Sequence, residues 1–110
     1  SKTMEDVFKL AELQARLLDR AATLLKPGGR LVYATCSLER EEGERQVERF
    51  LARQPRFRRV PVEAGEIGGE AGLINASGDL RCLPSHWPDE SDRLAGLDGF
   101  FASRLVLESG

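Results

Sequence analysis

The stretch "KPGGRLVYAT", Lys26 to Thr35, limits the fold more than any other part of the chain. It follows a long amphipathic run and precedes a cluster of glutamates. Within a few residues it therefore marks the end of one helix, a tight turn, a strand and the approach to a second helix. Pro27 disfavours helical continuation, and the glycines accept the positive φ that a tight turn needs. The apolar residues of "RLVYAT" are nearly continuous, the pattern of a strand covered on both faces in a parallel sheet, so this strand is expected to be central.

Upstream, from about Thr3 to Leu25, Val7, Leu10, Ala11, Leu17, Leu18, Ala21, Leu24 and Leu25 recur at three- and four-residue spacing. That spacing predicts an amphipathic helix, and Thr3 with Asp6 resembles a capping box. Downstream, "SLEREEGERQVERFLARQP" predicts a second helix capped at or near Ser37. Glu39, Glu41, Glu42 and Glu44 would meet the positive end of its dipole, and Val47, Phe50 and Leu51 form its apolar stripe. Pro55 ends it. "FRRVPV", 57–62, predicts a short strand that Pro61 assigns to an edge. The glycine-rich residues 63–79 read as a loop, "DLRCLP" as a brief extended piece, "SHWPDESDRLAGLDG" as an irregular connection and "FFASRLVLE", 100–108, as a final strand. Alternating helices and strands followed by late strands predict an α/β layer with a mostly parallel sheet and an antiparallel edge strand. With 110 residues and 41% hydrophobic content, the chain is expected to form one domain, 1–110.

Sixteen Lys plus Arg against eighteen Asp plus Glu leave a net charge of -2, so nothing in the whole-chain charge advertises a polyanionic partner. The densest basic group, "RQPRFRR" from Arg53 to Arg59, is either a local phosphate contact or a solvated face. Cys36 and Cys82 lack CxxC or Cys/His spacing, which suggests neither a zinc site nor a disulfide scaffold. No apolar run approaches the roughly 18 residues of a bilayer span, and "SKTMEDVF" lacks the apolar region of a signal peptide. The expectation is a soluble cytoplasmic protein.

Cys36 stands where the expected central strand passes toward a helix, the place where open α/β sheets keep their reactive crevice. A thiol near a helix amino terminus can be activated, because thiolate is the nucleophilic form, while nearby glutamates oppose that activation. On these residues alone, a buried structural cysteine is the competing reading.

The surrounding text carries more. "LAELQARLLDRAATLLKPGGRLVYATCSLEREEGERQV" resembles the carboxyl-terminal catalytic region of the Sun-type (Nol/Nop/Sun) RNA cytosine-5 methyltransferases. The shared features are the L-x-x-L-Q-x-x-L-L helix, the K-P-G-G turn, the Y-x-T-C-S strand end and the acidic helix start. "RCLPSHW" and "LDGFFASRL" follow in the order of that family's closing segments. The resemblance implies the carboxyl-terminal half of a Rossmann-like S-adenosylmethionine methyltransferase fold acting on RNA, ribosomal RNA being the substrate of its relatives. It implies Cys36 as the nucleophile that adds to C6 of a cytosine. Thr35 and Ser37 would orient the thiol through their hydroxyls or merely cap the helix, and Asp98 and Gly99 would shape the substrate pocket.

Departures from the family pattern matter too. Asparagine is usual where "EEGE" has Gly43. The glycine-rich loop after a first strand, the acidic residue that holds ribose and a D-x-P-C segment do not occur in this sequence, and "GEIGGEAG", 65–72, neither follows an expected strand nor opens a helix. The chain is therefore expected to be part of a catalytic domain without its cofactor-binding half, inactive and weak in S-adenosylmethionine binding by itself, metal-free, and prone to self-association through an exposed sheet edge. Cys82 reads as packing and His86, beside Trp87, as structural. Two other functions stay open: a non-catalytic RNA or protein interaction module on the same scaffold, and an unrelated cysteine-dependent α/β enzyme using His86 as its base.

Overall fold

The computed structural model describes residues 4–37, 39–83 and 99–109. In chain order these form helix α1 (Met4–Ala22), strand β1 (Arg30–Thr35), helix α2 (Glu44–Arg53), strand β2 (Phe57–Arg59), two short 3-10 turns (Ala64–Ile67 and Ala71–Leu73), strand β3 (Leu80–Cys82) and strand β4 (Phe100–Leu107).

β4 organises the sheet. It is the longest strand, with 8 residues, and its side chains alternate between half-buried and buried along its whole length. One side of it pairs antiparallel with β1, from Arg30↔Val106 to Thr35↔Phe101. The other side is divided between β2, Phe57↔Leu107 to Arg59↔Leu105, and β3, Leu80↔Ala102 to Cys82↔Phe100. β1 and β2 thus run in the same direction with a reversed strand wedged between them. The α/β layer is as expected, but the antiparallel strand is central and not at the edge. Among the described residues every strand pairing is antiparallel, and "RLVYAT" is paired along one edge only. The physical reason is length: only β4 can satisfy one neighbour over six residues and two three-residue neighbours on its far side.

Both helices pack on one face of this sheet. Tyr33, Phe57, Phe101, Leu105 and Leu107 from the strands meet Leu18 and Ala22 of α1 and Val47 and Phe50 of α2. Phe50 and Phe57 meet edge to face with centroids 5.0 Å apart, an arrangement that adds to the roughly 1.5–3 kcal/mol each ring gains from burial. α1 turns Ala11, Leu18 and Ala22 inward, while Leu17 and Leu24 of the expected apolar stripe lie 61% and 76% exposed. Leu17 lines a groove beside β1 with Leu31 and Val32. Thr3 and the side chains of Val7 and Leu10 fall outside the described residues.

The turn after α1 behaves as its sequence requires. The i to i+3 bonds Leu24 N–H to Ala21 O and Leu25 N–H to Ala22 O tighten the helix end, and Gly28 takes φ 86°. Gly28 N–H then donates to Leu107 O at 2.7 Å, and Leu107 N–H donates to Gly29 O at 2.9 Å. These bonds tie the turn to the end of β4 and help set the β1–β4 register.

The second helix starts later than expected. Residues 40–43 are a turn, and α2 begins at Glu44 after Gly43, with no side-chain cap. Gly43 has φ -117° and ψ -99°, which interrupts the helical path. Only Glu44 of the four glutamates lies in the first turn of α2. The others belong to the turn that follows Cys36.

Candidate functional site at the carboxyl end of β1

β1 delivers three consecutive residues to the end of the sheet in different environments. Thr35 is half-buried, Cys36 is exposed and Ser37 is buried. Among the described residues Cys36 is therefore not packed in the core. Register places Thr35 opposite Phe101 on β4, and Phe101 opposite Arg81 on β3. "TCS", "RC" and "GFF", far apart in the sequence, thus converge at one end of the sheet. Gly99 is buried at the start of β4. Asp98, His86 and Trp87 lie outside the described residues.

A polar network fixes the turn after the thiol. The Ser37 hydroxyl donates to Glu42 Oε1 at 2.5 Å and accepts from Glu39 N–H at 2.9 Å. The Tyr33 hydroxyl donates to the Glu42 backbone carbonyl. Arg81 donates from Nη1 to the Ser37 carbonyl, from Nε to Glu44 Oε2 at 3.0 Å and from Nη2 to Glu44 Oε1 at 2.5 Å. Its guanidinium also lies over the Phe101 ring, 5.1 Å from the centroid. A two-pronged pair of this kind combines charge with direction. Ser37 is thus not a helix cap; its hydroxyl bonds within the turn.

Electrostatics follow from this packing. Burial alone would raise the Glu44 carboxyl, but the Arg81 hydrogen bonds, a backbone N–H and the charges of Arg81 and Arg40 outweigh it and hold the group below its usual range. Burial, with the Glu42 charge, pushes the Tyr33 phenol up to about 12. Burial also raises the Cys82 thiol against the opposing charge of Arg81. Cys82 is only partly exposed and pairs with Phe100.

Sequence reasoning missed Tyr33, Glu42, Glu44 and Arg81 as parts of this site. Their role depends on cross-strand register, for which the sequence offers only the quoted "RC" and "EEGE" segments. The arginine group from 53 to 59 is engaged within the protein. Arg53 pairs with Asp19 at 2.9 Å, Arg58 with Glu108 at 3.4 Å and Arg59 with the buried Asp79 at 3.2 Å. Arg56 donates to the Glu108 carbonyl. Among the described residues no group of three or more His, Cys, Asp or Glu side chains is placed to hold a metal ion, and no helix is long and apolar enough to cross a membrane.

The structure is an α/β layer in which a T-C-S strand end and a G-F-F strand start meet at one end of the sheet. The family described as 16S rRNA methyltransferase RsmB/F matches residues 1–106, and the chain belongs to that family. It is 40% identical over 104 residues to ribosomal RNA small subunit methyltransferase B of Xylella fastidiosa, covering 94% of this chain and 21% of that protein. It is 54% identical over 101 residues to the protein of the same name from Klebsiella pneumoniae, covering 92% of this chain and 19% of that protein. The chain therefore spans about a fifth of the length of these relatives. A solved methyltransferase homologue from Pyrococcus horikoshii superposes with TM-score 0.69 at 28% identity, covering 96% of this chain and 33% of that one.

Proposed function

We propose that the chain forms the carboxyl-terminal part of the catalytic domain of an S-adenosylmethionine-dependent ribosomal RNA cytosine-5 methyltransferase, with Cys36 as its nucleophile. The observation that carries this reading is the exposed thiol at the carboxyl end of β1, beside the converged "RC" and "GFF" segments. In this reading the Cys36 thiolate forms a bond from Sγ to C6 of the target cytosine, and the electron pair of the C5–C6 double bond moves toward C5. Covalent addition is needed because the aromatic ring does not offer C5 as a nucleophile unaided. Once C5 carries the new methyl group, loss of its proton to a base restores the double bond and expels the thiolate. The base must leave any stack to reach the thiol.

The described residues offer S-adenosylmethionine, the methyl donor in this reading, no fitting cradle. Gly65, Gly68, Gly69 and Gly72 lie in and around short 3-10 turns and do not join a strand to a helix start. Donor binding is assigned to residues of the longer protein. Gly99, with Asp98 before it, would border the base pocket.

In the complete enzyme, Cys36→Ala is expected to abolish methyl transfer while leaving RNA affinity nearly intact, and Cys82→Ala to spare catalysis. RNA containing 5-fluorocytosine should trap the wild-type protein covalently, because fluorine does not leave C5 as a proton does. Mass spectrometry that places the adduct on another residue, or full activity in Cys36→Ala, would overturn the assignment.

A further inference from the structure

We infer that Arg81 is a positioning residue for Cys36, acting with Glu44 as a latch on the turn that follows the thiol; this rests on the reading of Cys36 as the nucleophile. The Ser37 carbonyl is one peptide beyond Cys36, and Glu44 is the first residue of α2. Arg81 binds both, so a single planar cation ties together the two ends of the 37–44 connection. Its side chain is 11% exposed and that of Glu44 20% exposed, so the pair is largely shielded from water.

Three features make the latch specific to arginine. Its donors point in different directions within one plane, two toward the carboxylate and one toward the carbonyl, which a lysine ammonium cannot reproduce. The Phe101 ring beneath the guanidinium fixes the height of that plane. Gly43 leaves it room: a Cβ there would lie 2.6 Å from Arg81 Nη2 and 3.1 Å from Phe101 Cγ. α2 has no side-chain cap of its own, so the position of the turn depends on these cross-strand bonds and on the Glu42 contacts from Ser37 and Tyr33.

The consequence is kinetic. An attacking atom displaced by about 1 Å loses on the order of a hundredfold in rate, while binding of the remote parts of the substrate is unaffected. Arg81, with its donors already engaged in the protein, contributes to placement of the thiol and not to RNA affinity.

The test uses the complete enzyme and two readouts, steady-state methyl transfer and the rate of covalent trapping by 5-fluorocytosine RNA. Arg81→Ala should lower kcat and the trapping rate by on the order of tenfold to a hundredfold with KM for RNA unchanged, and Arg81→Lys should recover little of the loss. Glu44→Gln keeps size and one hydrogen-bond acceptor, so it retains the fold and should show the same split with a smaller loss. A rise in KM at constant kcat would make Arg81 an RNA contact and overturn the inference. Trapping of Arg81→Ala at the wild-type rate on Cys36 would also overturn it while leaving the nucleophile in place. A wild-type adduct on another residue would instead remove the nucleophile, and the latch with it.

Discussion

Tyr33 connects core and candidate site within one side chain. Its ring packs in the core, 6.3 Å from the Phe101 centroid, and its hydroxyl holds the Glu42 carbonyl in the turn after Cys36. Burial and then the Glu42 charge raise its pKa from 10.0 to about 12. A phenol whose folded pKa lies above its unfolded value contributes stability fully below the unfolded pKa and loses it as pH rises through the folded one. The chain should therefore lose stability between pH 10 and about 12. Tyr33 is the only tyrosine, so tyrosinate absorbance in the isolated chain reports this site alone. Tyr33→Phe should remove that alkaline loss and cost about 1 kcal/mol at neutral pH through the lost hydrogen bond. An alkaline unfolding profile identical in wild type and Tyr33→Phe would show the phenol to be uncoupled from folding.

At the scale of elements, β4 carries the sheet. Its buried residues Phe101, Ser103, Leu105 and Leu107 face the helices, and Ala102, Arg104 and Val106 face the other side. Ser103 keeps its place on the buried face because its hydroxyl donates to Asp79 Oδ1 at 2.7 Å, which in turn receives Arg59. Leu105 is fully buried at the centre of this strand. Leu105→Ala is accordingly expected to cost about 2–5 kcal/mol, while Val106→Ala, one residue along on the open face, should cost about 1 kcal/mol or less. Denaturant unfolding of the two variants gives the comparison. Equal losses would mean that the alternation along β4 does not set which face is core.

The whole molecule has an unfinished side. Among the described residues β1 is paired along one edge, and the adjoining groove is lined by Leu17, Leu18, Leu31 and Val32. Leu13 and Leu17 are 45% and 61% exposed, and Gln14 Oε1 is buried there without a hydrogen-bond partner among the described residues. An unpaired strand edge is a template for another strand, so the isolated chain should self-associate with rising concentration. Sedimentation velocity that shows a monomer at high micromolar concentration would count against this. The isolated chain should also bind S-adenosylmethionine very weakly, since its described glycines build no strand-to-helix cradle; calorimetry showing micromolar affinity would contradict that.

The sequence by itself determined the order of elements, the turn at "KPGG", the late strand expected at 100–108 and found at Phe100–Leu107, and the family. Each of these is written in residues close together along the chain: three- and four-residue apolar spacing, a proline with glycines, and a short quoted motif. Cys36 could be picked out for the same reason, because T-C-S and its neighbours are contiguous. Strand order could not be read that way. The pattern of β4 is compatible with an edge or a centre, and only packing against one six-residue and two three-residue partners put it between β1 and β2. α2 starts only at Glu44 because the backbone of Gly43 leaves the helical path, and the Tyr33 hydroxyl holds the Glu42 carbonyl in the turn before it. The Arg81 contacts join residues 37 and 44 positions apart. No local pattern encodes a pairing at that distance, because register is decided by which faces of the strands can be buried together, and that choice exists only once the sheet has formed.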